Sequence, residues 1–134
     1  MITIKTKYLG NLRTESVHVK SSALLITDAP LDNSGKGESF SPTDLLATSL
    51  ATCMITVMGI SANQCGFELG EIDCEVTKVM AANPRRVSEI IINFNFLRGA
   101  FDEKQRQILI DSAYSCPVAL SIHQDLKKTV NFGF

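Results

Sequence analysis

Four side chains in this chain can carry redox or nucleophilic chemistry: Cys53, Cys65, Cys74 and Cys116. None forms a C-x-x-C pair, and the spacing speaks against a structural zinc site, so neither a metal nor a cofactor is expected. Cys116 stands before Pro117, which suits the first position of a helix, so the thiol would sit at the helix N-cap. There, unpaired N–H groups and the positive end of the helix dipole favour thiolate. A small residue tolerated ahead of a proline explains the same position equally well. Cys53 lies inside an apolar run, on a stripe with Leu46, Leu50, Val57 and Ile60 at helical spacing. Alone, that pattern describes a core cysteine. Cys65 follows the helix end and Cys74 lies among strand residues; both read as structural.

Other catalytic arrangements find little support. His18 lies between Val17 and Val19 of a strand, on the solvent face. His123 would follow Cys116 by two helical turns, roughly 10 Å of rise, too far for direct proton transfer. Ser41-Pro42 has no G-x-S-x-G context, and Gly35-Lys36-Gly37 lacks P-loop spacing.

The elements that must hold these groups can be read along the chain. Ile2 to Tyr8, Arg13 to Lys20 and Ala23 to Ile26 alternate as strands. Asp28 to Phe40 is a loop, rich in Pro, Gly, Asn and Asp. Ser41-Pro42-Thr43-Asp44 starts a helix that runs to about Asn63 or Gln64. Strands are expected over 68–80 and 87–98, with Ile90, Ile92, Phe94 and Phe96 on one face. Asp102 and Gln105 make a capping box for a helix through Tyr114. A further helix from Cys116 reaches Leu126, and Thr129 to Phe134 closes as a strand. The order β-β-β-α-β-β-α-α-β predicts an α+β fold, and 134 residues suit a single domain spanning 1–134.

Composition narrows the function. Thirteen basic against 14 acidic residues leave a net charge of -1, without the basic footprint of nucleic-acid binding. The start of the chain resembles a strand and not a signal peptide, so a cytoplasmic location is the expectation. From Leu45 to Ala62 no residue is charged, which approaches the length of a membrane span. The run contains several hydroxyl residues and a glycine and has no basic flank, so it reads as a buried helix of a protein with no membrane role. A chain this short seldom buries such a helix alone, and a partner copy covering one face is expected.

Two segments, GESFSPTDLLATSLATC (37–53) and SCPVALSIHQDL (115–126), resemble the paired signatures of the OsmC/Ohr family, and the element order is similar over nearly the whole chain. The resemblance implies the OsmC-like fold, with antiparallel sheets around two central helices in an intertwined homodimer. It also implies a thiol-dependent peroxidase of oxidative-stress defence that reduces organic hydroperoxides. In that cycle Cys53 attacks and becomes a sulfenic acid, Cys116 resolves it as a disulfide, and an external dithiol restores both thiols. Peroxidase members hold the attacking thiol with an early arginine and a glutamate directly after the Ser/Asn-Pro proline. Here Arg13 is the only early arginine, Thr43 and Asp44 follow Pro42, and Glu38 is the loop carboxylate that would substitute. That departure is closer to the OsmC-like branch, whose alternative reading is a non-catalytic small-ligand-binding or stress-related protein.

Overall fold

The computed structural model describes all 134 residues, Met1–Phe134, and divides at Leu45, inside the first helix, into two compact units. Within Met1–Leu45, strands β1 (Ile4–Gly10), β2 (Arg13–His18) and β3 (Leu24–Asp28) form an antiparallel meander in the order β1-β2-β3. Left-handed backbone at both Asn11 (φ 53°) and Leu12 (φ 62°) makes the tight first turn, the twist that two-residue hairpins require. The turn delivers Arg13 as the first residue of β2. The register then sets Arg13 directly opposite Asp28, the last residue of β3.

The loop after β3 contains one 3-10 turn, Leu31–Asn33, and returns along the strand. The Asp28 N–H donates to the Phe40 carbonyl at 3.0 Å, and Ser39 Oγ donates to the Ile26 carbonyl at 2.9 Å. Gly35 is needed in this loop, because a Cβ there would stand 1.7 Å from the Ala29 carbonyl oxygen.

Helix α1 (Pro42–Gln64) opens as the sequence predicts. Ser41 Oγ accepts the Asp44 N–H at 3.0 Å while the Asp44 carboxylate accepts the Ser41 N–H at 2.9 Å. This is a capping box built on aspartate. By length and composition α1 could cross a membrane, and 33% of its most apolar window is buried.

The unit Leu46–Phe134 holds the remainder of α1, then β4 (Ile72–Ala81), β5 (Arg86–Phe96), α2 (Glu103–Tyr114), α3 (Pro117–Ser121) and β6 (Lys127–Gly133). The element order and the α+β class agree with the sequence reading. One detail is corrected: β4 and β5 pair antiparallel, but β6 runs parallel to β5, because the chain crosses over through α2 and α3 before returning. The Asp102–Gln105 capping box is present with both of its hydrogen bonds.

A single apolar cluster fills this unit. It joins Ala47, Leu50, Ala51, Met54, Met58 and Ala62 of α1 to Val87, Ile90, Ile92, Phe94 and Phe96 of β5 and to Leu109 and Ala113 of α2. The buried stripe of α1 is therefore shifted from the one expected: Leu50 is shared, Leu46, Cys53 and Val57 only edge the cluster, and Ile60 leaves it. Ile60 is 49% exposed and Cys53 only half-buried, since the buried i, i+3, i+4 series runs through residues 47, 50, 51, 54 and 58. On the outer side of the helix, Thr52 and Thr56 donate to backbone carbonyls one turn back, each at 2.8 Å. Their hydroxyls are satisfied locally, leaving mainly carbon on that surface.

Candidate functional site: a thiol pair and an arginine–carboxylate cluster

Two groups of chemically capable side chains stand out, one in each unit. In Leu46–Phe134 the fold brings Cys53, from the middle of α1, close enough to Cys116 at the start of α3 for the two thiols to influence each other's ionisation. The chain between them spans two strands and a helix, so only tertiary packing makes the pair. Cys116 is the N-cap of α3, and its sulfur accepts the Ala119 N–H at 3.3 Å. That position agrees with the sequence reading, but the expected electrostatic outcome does not follow. Burial of a residue that is 0% exposed pushes the Cys116 thiol up, and the neighbouring Cys53 thiol pushes the same way. The backbone N–H groups of Ala119 and Val118 oppose this only in part. Desolvation outweighs a short helix end. Cys116 is thus the fully buried thiol of the pair, and Cys53, half-buried, is the one with a surface open to solvent.

The other cysteines stand apart in character. Cys65 is exposed at the end of α1. Cys74 packs half-buried against the core, with its thiol pushed up by burial and then by the charge of Glu75. His18 is exposed and bonded to Ser21 Oγ at 2.6 Å. His123 lies beyond the end of α3, which stops at Ser121 and not at Leu126 as expected. Its Nδ1 accepts the Asp125 N–H at 3.0 Å, and its ring is open to solvent.

In Met1–Leu45 the sequence-selected Arg13 and Glu38 meet: Arg13 Nη2 donates to Glu38 Oε2 at 2.9 Å. The more intimate partner is one that sequence reasoning missed. Asp28 receives Arg13 Nε on Oδ1 at 2.7 Å and Nη2 on Oδ2 at 2.8 Å, a two-pronged pair. Its Oδ2 also accepts the Glu38 N–H at 3.1 Å. Asp28 is 1% exposed, whereas the Glu38 side chain is 64% exposed. Hydrogen bonding to Arg13 holds the Asp28 carboxyl below its ordinary value in spite of burial, and the two carboxylates hold Arg13 firmly charged. A signal existed: Asp28 is a charged residue ending the otherwise apolar and hydroxyl run Leu24-Leu25-Ile26-Thr27. Asp44, the other carboxylate near Pro42, caps α1.

Two neighbouring free cysteines, one in a helix and one at the cap of another, on a three-plus-three-stranded α+β scaffold, define the class to which the comparisons also point. The chain belongs to the OsmC-like protein family, whose pattern matches residues 35–131. A candidate osmotic stress induced and detoxification response protein from Psychrobacter arcticus 273-4 shares 52% identity. The match covers 98% of this chain and 96% of that one, with a TM-score of 0.94. The fold also recurs in an organic hydroperoxide resistance protein OsmC from Legionella pneumophila, at 16% identity and TM-score 0.77, covering 100% and 98% of the two chains. A candidate organic hydroperoxide resistance protein from Vibrio cholerae, with captopril bound in one of its active sites, matches at 14% identity and TM-score 0.76, covering 99% and 92%. No curated protein matches the chain.

Proposed function

We propose that this protein is a thiol-dependent peroxidase that reduces organic hydroperoxides through Cys53 and Cys116. The observation that carries the reading is the nearness of a half-buried thiol to a fully buried one whose burial favours its protonated form. The Cys53 thiolate attacks one peroxide oxygen. The O–O bond breaks, the sulfur is oxidised by two electrons to sulfenic acid, and the organic part leaves as alkoxide. The Cys116 proton is at hand to convert that alkoxide to the alcohol. The Cys116 thiolate so formed attacks the Cys53 sulfur, expelling hydroxide and closing the disulfide. A dithiol reductant then returns both sulfurs to thiols, and a reducing cytoplasm is the compartment proposed for the cycle. By the family pattern, Arg13 supplies the cation that favours the reacting thiolate, with Glu38 beside it.

The working unit proposed is a homodimer. The first unit supports this by leaving Ile4 (56%), Tyr8 (67%), Leu24 (66%) and Phe40 (52%) open to solvent in the single chain, large apolar side chains that a partner copy would cover. Reduced protein mixed with cumene hydroperoxide should lose both thiols, and Cys116→Ser should accumulate a Cys53 sulfenic acid that dimedone captures. Unchanged peroxide with both thiols still titratable defeats the reading.

A non-catalytic, ligand-binding role is the second reading. It is favoured by an open hollow of about 610 Å³ lined in part by Leu46, Val87, Ile122 and Leu126, with neither reactive sulfur in its wall. An apolar ligand co-purifying with a peroxide-inert protein would establish it instead.

A further inference from the structure

Arg13 is held by two carboxylates of very different standing. Asp28 faces it across the β2–β3 register and is 1% exposed. Its backbone N–H is tied to the Phe40 carbonyl, and its carboxylate takes both Nε and Nη2 of the guanidinium. Glu38 is on the loop, mostly in solvent, and touches Nη2 alone. A fork-to-fork pair fixes the plane of a guanidinium as well as its distance, which a single contact from a flexible exposed side chain does not. With Nε and Nη2 committed, Nη1 is the edge of Arg13 that makes no hydrogen bond within the chain.

We infer that Asp28 is the positioning residue for Arg13, holding the guanidinium so that its Nη1 edge is presented to a reacting anion, while Glu38 is an exchangeable neighbour. This rests on the peroxidase reading above, in which Arg13 serves the reacting thiol. Asp28 itself does not touch substrate and acts through Arg13. The carboxylate that the peroxidase pattern takes from the helix start is then supplied here chiefly by the end of a strand, and Asp44 is left to cap α1.

The test compares Asp28→Asn, Glu38→Gln, Arg13→Gln and Arg13→Lys in the full-length protein. Two readouts are followed: kcat/KM for cumene hydroperoxide, and the Arg13 Nε–H signal in a nitrogen-15 correlation spectrum. Misplacement of a positioned group by about an ångström can cost on the order of 10²-fold in rate. A loss of that size is expected for Arg13→Gln, Asp28→Asn and Arg13→Lys, the last because lysine keeps the charge but not the fork. Asp28→Asn combined with Arg13→Gln should be no slower than Arg13→Gln alone. Glu38→Gln should lose clearly less activity than Asp28→Asn and retain the Nε–H signal, which Asp28→Asn should lose. If Asp28→Asn does not fold, Arg13→Lys still decides.

Parent protein inert toward the peroxide, or Arg13→Gln fully active, overturns the reading on which the inference rests. A damaging Arg13→Gln beside near-normal Asp28→Asn or Arg13→Lys overturns the inference alone. So does Glu38→Gln as slow as Asp28→Asn.

Discussion

In the unit Leu46–Phe134 nearly everything buried is apolar, from Ala47 to Leu126, whereas the buried residues of Met1–Leu45 are Thr27, Asp28 and Ser41, all polar. The second unit is organised as folded domains usually are, with helix stripes and a sheet face removed from water together. The first is a three-stranded meander whose large apolar side chains remain open to solvent in the single chain, while its interior is spent on hydrogen bonds: a carboxylate under an arginine, a threonine under a threonine, a serine capping a helix. A sheet of that kind is marginal by itself. The contrast separates two kinds of work. The apolar unit sets the distance between two sulfurs by packing, and the polar unit sets the orientation of one guanidinium by register.

The comparison can be broken from either side. The largest effect expected is on turnover: Cys53→Ser should abolish hydroperoxide reduction, and Cys116→Ser should stop it after one equivalent, both measured by peroxide consumption. Next is packing in the apolar unit. Leu50 is 0% exposed, and Leu50→Ala should lower unfolding free energy by about 3 kcal/mol, as buried leucine truncations do, seen in a urea titration. Leu24→Asp, on the exposed meander, should reduce the mass seen by light scattering from dimer to monomer. A monomeric parent protein would remove the reason for the first unit's exposed face.

The smallest effect concerns acid. Asp28 has a folded-state pKa below that of an unfolded aspartate, about 3.9. Its contribution is therefore fully present above that value and is lost as pH falls through the folded value. The parent protein should lose stability below about pH 4, and Asp28→Asn should flatten that limb while lowering stability at neutral pH. An acid limb unchanged by Asp28→Asn would show that the arginine pair does not contribute to it.

What could be read from the sequence follows the range of the forces involved. Ser41-Pro42, Asp102 with Gln105, and Cys116-Pro117 act within a few residues, and all three mark observed helix starts. The pairing of Cys53 with Cys116 came from family resemblance, because no local pattern joins positions so far apart. The face of α1 is legible only to within a small rotation, because apolar residues occur on several sides of the helix and periodicity does not single out one stripe. Ile60 looked as much a core residue as Met58, and only the packed sheet distinguishes them. Asp28 escaped notice because its meaning depends on a strand register that places it opposite Arg13. The upward push on the Cys116 thiol is hidden for a similar reason, since desolvation by the surrounding core is absent from any local view of a helix N-terminus.

The most direct measurement takes the reduced protein, adds one equivalent of cumene hydroperoxide, and maps cysteine linkages by mass spectrometry after proteolysis under thiol-blocking conditions. The account predicts a Cys53–Cys116 linked peptide with one equivalent of cumyl alcohol formed, and Cys65 and Cys74 recovered as blocked thiols. Peroxide left intact, with Cys53 and Cys116 both recovered as blocked thiols, would contradict it.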